Sequence, residues 1–338
     1  MAKILKTALI GAGGIGSGYH LREIDRHEGF SLCAIVDIKP ETLEKFGEKY
    51  HVPTYTDMAA MLAEQKPDLC VIATPTPLHV PQAIACMEAG CDVFLEKPMG
   101  MSLAESQKLA RRRTELGRKL MIYQPHRTRV ETLAAEQIIA GGKLGPIFMI
   151  HRACTDFYLR DHWQGYKKNG GGNLANHGAH YIDQLLHLSG GTAIRGNAIL
   201  KPIITTGDAD DVAKAIFETD NHVILDLDIN FVSAFDFNKL TIFGKYGTAD
   251  LIRDEQRRFC YRVRYYDPAE HNGSSRDFPF REEIVKAYEL TPIDFYQKNY
   301  EFYALDMPQF VPVEETLKVM AAIDLCRASS GEYETMFS

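Results

Sequence analysis

Four polar residues, Asn176, His180, Asp183 and His187, follow the triple glycine Gly170-Gly171-Gly172 at intervals of four, three and four. Such intervals stack side chains along one stripe of an α-helix. Leu174, Ile182, Leu185, Leu186 and Leu188 give the same helix enough apolar surface to be largely buried. A buried stripe of protonatable groups is costly without a partner or a task. Two chemical tasks suit these residue types: proton transfer by a histidine, and metal ligation. The second is poorly supplied, because no cysteine or further histidine stands at the usual ligand spacing from His177, His180, Asp183 and His187. Lys97 is a second candidate. It follows an apolar strand and is held between Glu96 and Pro98. A lysine at a strand's C-terminal end can reach a ligand crevice, and its charge can steady a developing oxyanion.

These residues need elements to position them. Lys3 to Ile10 reads as a strand that runs into Gly11-Ala12-Gly13-Gly14-Ile15-Gly16, and Ile15 to Arg26 reads as a helix. A G-x-G-x-x-G between a strand and a helix is a dinucleotide fingerprint. Gly11 allows the tight turn, Gly13 a close approach of the pyrophosphate, and Gly16 close packing of helix on strand. The second strand, Ser31 to Val36, ends at Asp37, 21 residues after Gly16. A carboxylate there hydrogen-bonds a ribose diol and repels a 2′-phosphate, which favours NAD over NADP. Lys39 weakens that preference a little.

The alternation continues. Helices are expected at Pro40 to Tyr50, from a Thr56 cap through Ala63, up to Ala89, and from the capping box Ser102-Leu103-Ala104-Glu105 to Leu116. Strands are expected at Leu69 to Ala73, Asp92 to Leu95 and Lys119 to Tyr123. Strand–helix alternation of this kind predicts a doubly wound parallel sheet. From Ile147 the pattern changes to consecutive strands: Ile147–Cys154, Ile194–Leu200, Val212–Glu218, His222–Phe231, Lys239–Phe243 and Phe259–Tyr265. Short polar breaks between them indicate antiparallel pairing. The expected division is residues 1–124 for an NAD-binding α/β Rossmann domain and 125–338 for an α+β domain with a large, mostly antiparallel open sheet.

The chain has 338 residues, which suits two domains. Its formal net charge of −7 speaks against binding nucleic acid through the phosphates. The run Arg111-Arg112-Arg113 reads as a solvated helix face. No apolar run approaches the ~20 residues needed to span a bilayer. The N-terminus enters a strand without a signal-peptide pattern. The seven cysteines are scattered and include no C-x-x-C. They read as buried small hydrophobes in a cytoplasmic protein. The aromatic segment after Thr291-Pro292 (Phe295, Tyr296, Tyr300, Phe302, Tyr303) reads as packing or a subunit interface. The polar and aromatic stretch Asp156 to Asn169 reads as a substrate loop, with Tyr158, Arg160 and Trp163 as sugar contacts.

The glycine motif, the loop Ala73-Thr74-Pro75-Thr76-Pro77-Leu78-His79, the triplet Glu96-Lys97-Pro98 and the Gly170–Asp183 stretch occur in this order. Together they resemble the glucose–fructose oxidoreductase / inositol dehydrogenase / MocA (Gfo/Idh/MocA) family. Met307 to Glu315, followed by a helix to Ser330, extends the resemblance to nearly the whole chain. It implies a nicotinamide cofactor held by Gly11, Gly13, Gly14, Ile15, Gly16, Asp37, Thr74, Pro75, His79, Glu96 and Lys97. It implies sugar, cyclitol or related polyol substrates, and the expected substrate contacts are Lys97, Arg127, Tyr158, Arg160, Trp163, Asn176, His177 and His180. The family's catalytic lysine falls on Lys97 and its histidine on His180. Its aspartate falls on Asn176, where this chain departs from the commoner pattern. The resemblance also implies a homodimer or homotetramer formed through the second sheet. Three activities are compatible with it: a dehydrogenase of secondary hydroxyls, a glycosidase working by transient oxidation, and a non-catalytic cofactor-binding regulator.

Overall fold

The computed structural model describes residues 3–271 and 273–330. The first sheet contains β1 (Leu5–Ile10), β2 (Phe30–Val36), β3 (Thr54–Tyr55), β4 (Leu69–Ile72), β5 (Asp92–Leu95) and β6 (Leu120–Ile122). Their order is β3-β2-β1-β4-β5-β6, and every neighbouring pair is parallel. This is the doubly wound Rossmann order, with its switch point between β1 and β4. All four residues of β4 are buried, as expected of a strand covered on both faces. The connecting helices are α1 (Leu21–Arg26), α2 (Pro40–Tyr50), α3 (Met58–Gln65), α4 (His79–Glu88) and α5 (Leu103–Glu115).

Helix starts follow local chemistry. At α5, Ser102 Oγ accepts the Glu105 N–H at 3.3 Å, and Glu105 Oε2 accepts the Met101 N–H at 3.0 Å. The cap of α3 is Asp57, which accepts the Ala59 N–H at 2.8 Å, and not Thr56. A carboxylate is the stronger acceptor for the open N–H groups of a first turn. The helix expected over Ile15 to Arg26 opens with a π-helical turn, Gly16–His20, before α1 begins.

The second sheet follows α6 (Val130–Ala140). It contains β7 (Ile147–Thr155), β8 (Ala193–Lys201), β9 (Val212–Thr219), β10 (Ile224–Asn230), β11 (Lys239–Gly244), β12 (Gly247–Arg253), β13 (Phe259–Tyr265) and β14 (Arg281–Val285), with α7 (Ala179–Ser189) between β7 and β8. The order is β14-β13-β12-β11-β7-β10-β9-β8. All pairs are antiparallel except β7 with β10. Along β9, Ala213, Ala215 and Phe217 are buried and the residues between them are not, so one face is covered and the other open. Two strands of this sheet escaped the sequence pattern. β12 begins Gly-Thr-Ala-Asp, and β14 begins Arg-Glu-Glu on the sheet edge, where charge is favoured over apolar alternation.

The chain forms two compact units. One holds the described chain to Gln124 together with Asp294–Met320, and the other holds Pro125–Ile293 and the described chain from Ala321 onward. The sequence division gave everything after 124 to the second domain. Residues 294–320 depart from it because α8 (Phe295–Leu305) carries Phe295, Tyr296, Tyr300 and Tyr303 into the core formed by Leu9, Phe94 and Tyr123. Four buried aromatic side chains make a strong apolar tether. The described chain ends with α9 (Val313–Ser330). Among the described residues, no helix is long and apolar enough to cross a membrane.

Candidate active site

In the first unit the glycine turn sits at the C-terminal end of β1. Gly11 has φ +91°, and a Cβ there would stand 2.8 Å from the Ala73 carbonyl oxygen. A Cβ on Gly16 would run into the Gly11 carbonyl oxygen. Side chains are therefore excluded at both positions. Gly13 and Gly14 are exposed and have open space where a Cβ would lie, as a pyrophosphate approaching the backbone requires. Ile15 beside them is exposed as well.

Asp37 closes the other side of this turn. Its Oδ2 accepts the Ala12 N–H at 2.8 Å and its Oδ1 accepts the Lys39 N–H at 3.0 Å. Two backbone donors hold the carboxylate in place. The residues present fit a dinucleotide with an unphosphorylated ribose. Replacing Asp37 with alanine is expected to lower the preference for NAD over NADP by about tenfold or more, because one negative charge no longer repels the 2′-phosphate. Parallel titrations of the two cofactors, read by protein fluorescence, check this.

The loops after β4 and β5 are fastened to each other. His79 places Nε2 2.8 Å from the Thr74 carbonyl oxygen and Nδ1 2.8 Å from that of Pro98. Burial pulls the His79 pKa down, against both carbonyls, which pull it up. A neutral ring donates to one of the two, an imidazolium to both. Thr74 donates its hydroxyl to Gln82 at 2.6 Å, and Pro75 starts the turn that leads into α4. Glu96 is buried, and Lys97 is half-buried.

In the second unit the triple glycine lets the chain pack against two loops. A Cβ on Gly171 would collide with the Gln164 carbonyl, and one on Gly172, at φ +97°, with the Asp210 carboxylate. Asp210 Oδ2 accepts the Leu174 N–H at 2.8 Å and so satisfies an open donor where the helix begins. Burial pushes the Asp210 carboxyl up. Asp211 Oδ2 accepts three successive N–H groups, from Ile203, Ile204 and Thr205, at 2.6, 2.8 and 2.9 Å. The helical stretch opens with a π-helical turn, Leu174–Gly178, and becomes α-helical at Ala179. Asn176 therefore sits on a wider turn than His180, Asp183 and His187, and the expected regular stripe holds only for the last three.

Each residue of the stripe has its own surroundings. Asp183 is fully buried and bonds Arg127 twice, Nε to Oδ2 at 2.8 Å and Nη2 to Oδ1 at 2.6 Å. Arg127, expected at the substrate, is thus buried with its guanidinium directed at Asp183. The His180 ring packs against His126, with centroids 4.7 Å apart, and His126 stacks on Tyr181 at 5.0 Å. His187 places Nε2 2.6 Å from Glu136 Oε1.

Arg160 ties the expected substrate loop to this helix. Although 3% exposed, it donates to Gln164 Oε1 at 2.6 Å and to Asn173 Oδ1 at 2.9 Å, and lies 3.3 Å from His177 Nδ1. Asn176 Nδ2 donates to the same Gln164 oxygen at 3.4 Å. His177 packs on Phe231, with centroids 4.3 Å apart. Tyr158 and Trp163 are exposed, at 46% and 39%. Arg160, Asn176 and His177 are therefore brought together, while Tyr158 and Trp163 offer open aromatic faces. Gln164, Asn173, His126 and the Asp210-Asp211 pair were not anticipated. The acidic doublet directly before a β-rich run was the one visible signal.

This architecture and these residues define a Rossmann-type oxidoreductase. Residues 5–124 match the family model described as "Oxidoreductase family, NAD-binding Rossmann fold", and residues 132–250 match the "GFO/IDH/MocA C-terminal domain". The chain belongs to the Gfo/Idh/MocA family, and its first unit is an NAD-binding Rossmann domain.

The chain is 26% identical over 195 residues to D-glucoside 3-dehydrogenase of Escherichia coli (strain K12), covering 56% of each. It is 25% identical over 209 residues to 2,7-anhydro-N-acetylneuraminate hydratase of Mediterraneibacter gnavus, covering 59% of this chain and 55% of that one. The matched stretch thus spans little more than half the length of either relative. Among solved structures, an NAD-binding protein from Listeria innocua superposes with a TM-score of 0.85 at 21% identity, covering 98% of this chain and 96% of that one. That likeness concerns the fold.

Proposed function

We propose that this chain is an NAD-dependent oxidoreductase acting on a secondary hydroxyl of a sugar, glycoside or cyclitol. When bound, NAD supplies the nicotinamide carbon that takes up or returns a hydride. The chain's own residues do the rest. His180 accepts the hydroxyl proton, which an imidazole can do near neutrality. Lys97 orients the hydroxyl and stabilises the charge that develops on its oxygen. Asn176 hydrogen-bonds the substrate, and Arg160, His177, Tyr158 and Trp163 shape the sugar subsite. Arg127 acts through Asp183, by holding the helix that carries His180. The first unit serves the cofactor. The second serves the substrate and, through the open face of its sheet, a homodimer or homotetramer. The unbridged cysteines suit a cytoplasmic setting.

The observation that carries this reading is the glycine turn with its fixed Asp37, in a chain whose catalytic-type lysine and histidine both stand on firmly anchored elements. Its test is a screen of sugars, glycosides and cyclitols for NADH formation. Steady NADH release with at least one polyol is expected, and no NADH with any of them overturns the assignment.

A second reading is favoured by the hydratase relative: oxidation, elimination or addition, and return of the hydride with no net NADH. The same screen, scored for glycoside cleavage, separates the two. Substrate conversion that needs NAD but leaves no NADH selects the second.

Asn176 allows a sharper prediction. A neutral amide cannot raise the pKa of a nearby histidine, whereas a carboxylate does. Asn176→Asp is expected to move the acid limb of the kcat/KM profile to higher pH by about half a unit or more. An unmoved limb removes Asn176 from the base's surroundings.

A further inference from the structure

Three buried polar side chains form a chain that ends at the backbone of Lys97. Tyr296 and His20 are each 1% exposed, and Glu96 is 5% exposed. His20 Nδ1 lies 2.7 Å from the Tyr296 hydroxyl, and His20 Nε2 lies 3.0 Å from Glu96 Oε1. The second carboxylate oxygen, Glu96 Oε2, accepts the Lys97 N–H at 3.1 Å. The donors can be assigned. An ionised carboxylate only accepts, so Nε2 carries the ring proton. Burial pushes the Tyr296 phenol well above its ordinary pKa, so it keeps its proton and donates to Nδ1. With its proton on Nε2, the ring satisfies both nitrogens: Nε2 donates to Glu96 and Nδ1 accepts from Tyr296.

Burial alone would raise the Glu96 carboxyl. The hydrogen bond from His20, with the charge of neighbouring Lys97, outweighs it and holds Glu96 below its ordinary value. Other ionisable groups facing the three are Glu23, whose charge helps to raise the Tyr296 phenol, and two phenols, Tyr123 at the end of β6 and Tyr19 beside it, with ring centroids 5.2 Å apart. Burial pushes the pKa values of both phenols, Tyr19 and Tyr123, up, so neither brings charge. Phe94 and Tyr123 pack edge-on against the His20 ring at 5.5 and 5.2 Å, which keeps the chain dry. His20 is the last residue of the π-helical turn that Gly16 begins. The wider turn rotates His20 relative to a regular α-helix. One hydrogen-bonded line thus joins the helix that follows the dinucleotide turn to the loop bearing Lys97.

We propose that Tyr296, His20 and Glu96 are positioning residues for Lys97: they keep a carboxylate ionised beside it, so that Lys97 stays an ammonium and serves as a hydrogen-bond donor rather than a base. A nearby carboxylate favours the charged amine. The proposal deepens the role assigned to Lys97 and rests on that reading. Its test does not require turnover.

In the full chain, without substrate, the rate of reductive methylation at Lys97 is followed against pH by peptide mass spectrometry, with exposed Lys45 as reference. Glu96→Gln is expected to lower the Lys97 midpoint by about one pH unit and leave Lys45 unchanged. Tyr296→Phe keeps the ring and its packing, and is expected to shift Lys97 in the same direction by less. Once a substrate is in hand, the alkaline limb of kcat/KM moves with the midpoint. An unmoved Lys97 midpoint in folded Glu96→Gln overturns the proposal. If that variant fails to fold, an unmoved midpoint in Tyr296→Phe does so. A shifted midpoint in a protein that reduces no NAD supports the network while removing the dehydrogenase reading.

Discussion

Alanine at Lys97 or at His180 is expected to cut kcat by about 100-fold or more while NAD still binds. The two losses have different origins. Without the lysine, the charge developing on the substrate oxygen has no fixed cation to meet it. Without His180, the hydroxyl proton has no acceptor of suitable pKa near neutrality. Neither residue belongs to the glycine turn or touches the Asp37 carboxylate through the hydrogen bonds described above. Titration of NAD by protein fluorescence should therefore still show binding to both variants. Steady-state kinetics should show the loss in kcat. Wild-type rates in both variants would remove these residues from the reaction.

The second large effect concerns stability. Asp183 is fully buried and its partner Arg127 is 4% exposed, with two hydrogen bonds between them. Breaking a buried pair by removing one partner leaves an uncompensated charge and costs about 3–5 kcal/mol. Asp183→Ala is expected to lose stability of that order in urea unfolding, which is a large part of the margin of an ordinary domain. The double replacement Arg127→Met with Asp183→Leu removes both charges and is expected to recover most of the loss. Equal destabilisation of the single and double variants would mean that packing, and not the charge pair, sets the cost. Asp183 lies one turn after His180 on α7, so the single variant should also lower turnover.

The Rossmann half was legible because its signals are local. Gly11, Gly13, Gly16 and Asp37 fall within one strand–turn–helix–strand unit, and each is required by backbone geometry or by one charge. The helix carrying His180 was legible for a similar reason, its apolar spacing after three glycines. What escaped notice depended on tertiary partners. His20 and Tyr296 are 276 residues apart in sequence and meet only when α8 returns to the first unit. The division of the chain failed at α8 for that reason, since an aromatic helix does not declare which core it will enter.

Backbone detail was also hidden. Both glycine-rich segments lead into π-helical turns, and hydrophobic spacing does not distinguish these from α-helical ones. Asn176 was accordingly placed on a regular stripe that begins only after it. Asn173 and Gln164 gave no signal as single polar residues, yet their hydrogen bonds to Arg160 hold the loop that contains Tyr158 and Trp163.

The most direct measurement of the central claim is isotopic. A polyol that produces NADH in the screen is prepared with deuterium on the carbon of the reacting secondary hydroxyl. The account predicts that the deuterium arrives at C4 of the recovered NADH, in wild type and, far more slowly, in His180→Ala. NADH recovered without deuterium, or substrate converted with no label ever reaching the nicotinamide, would contradict it.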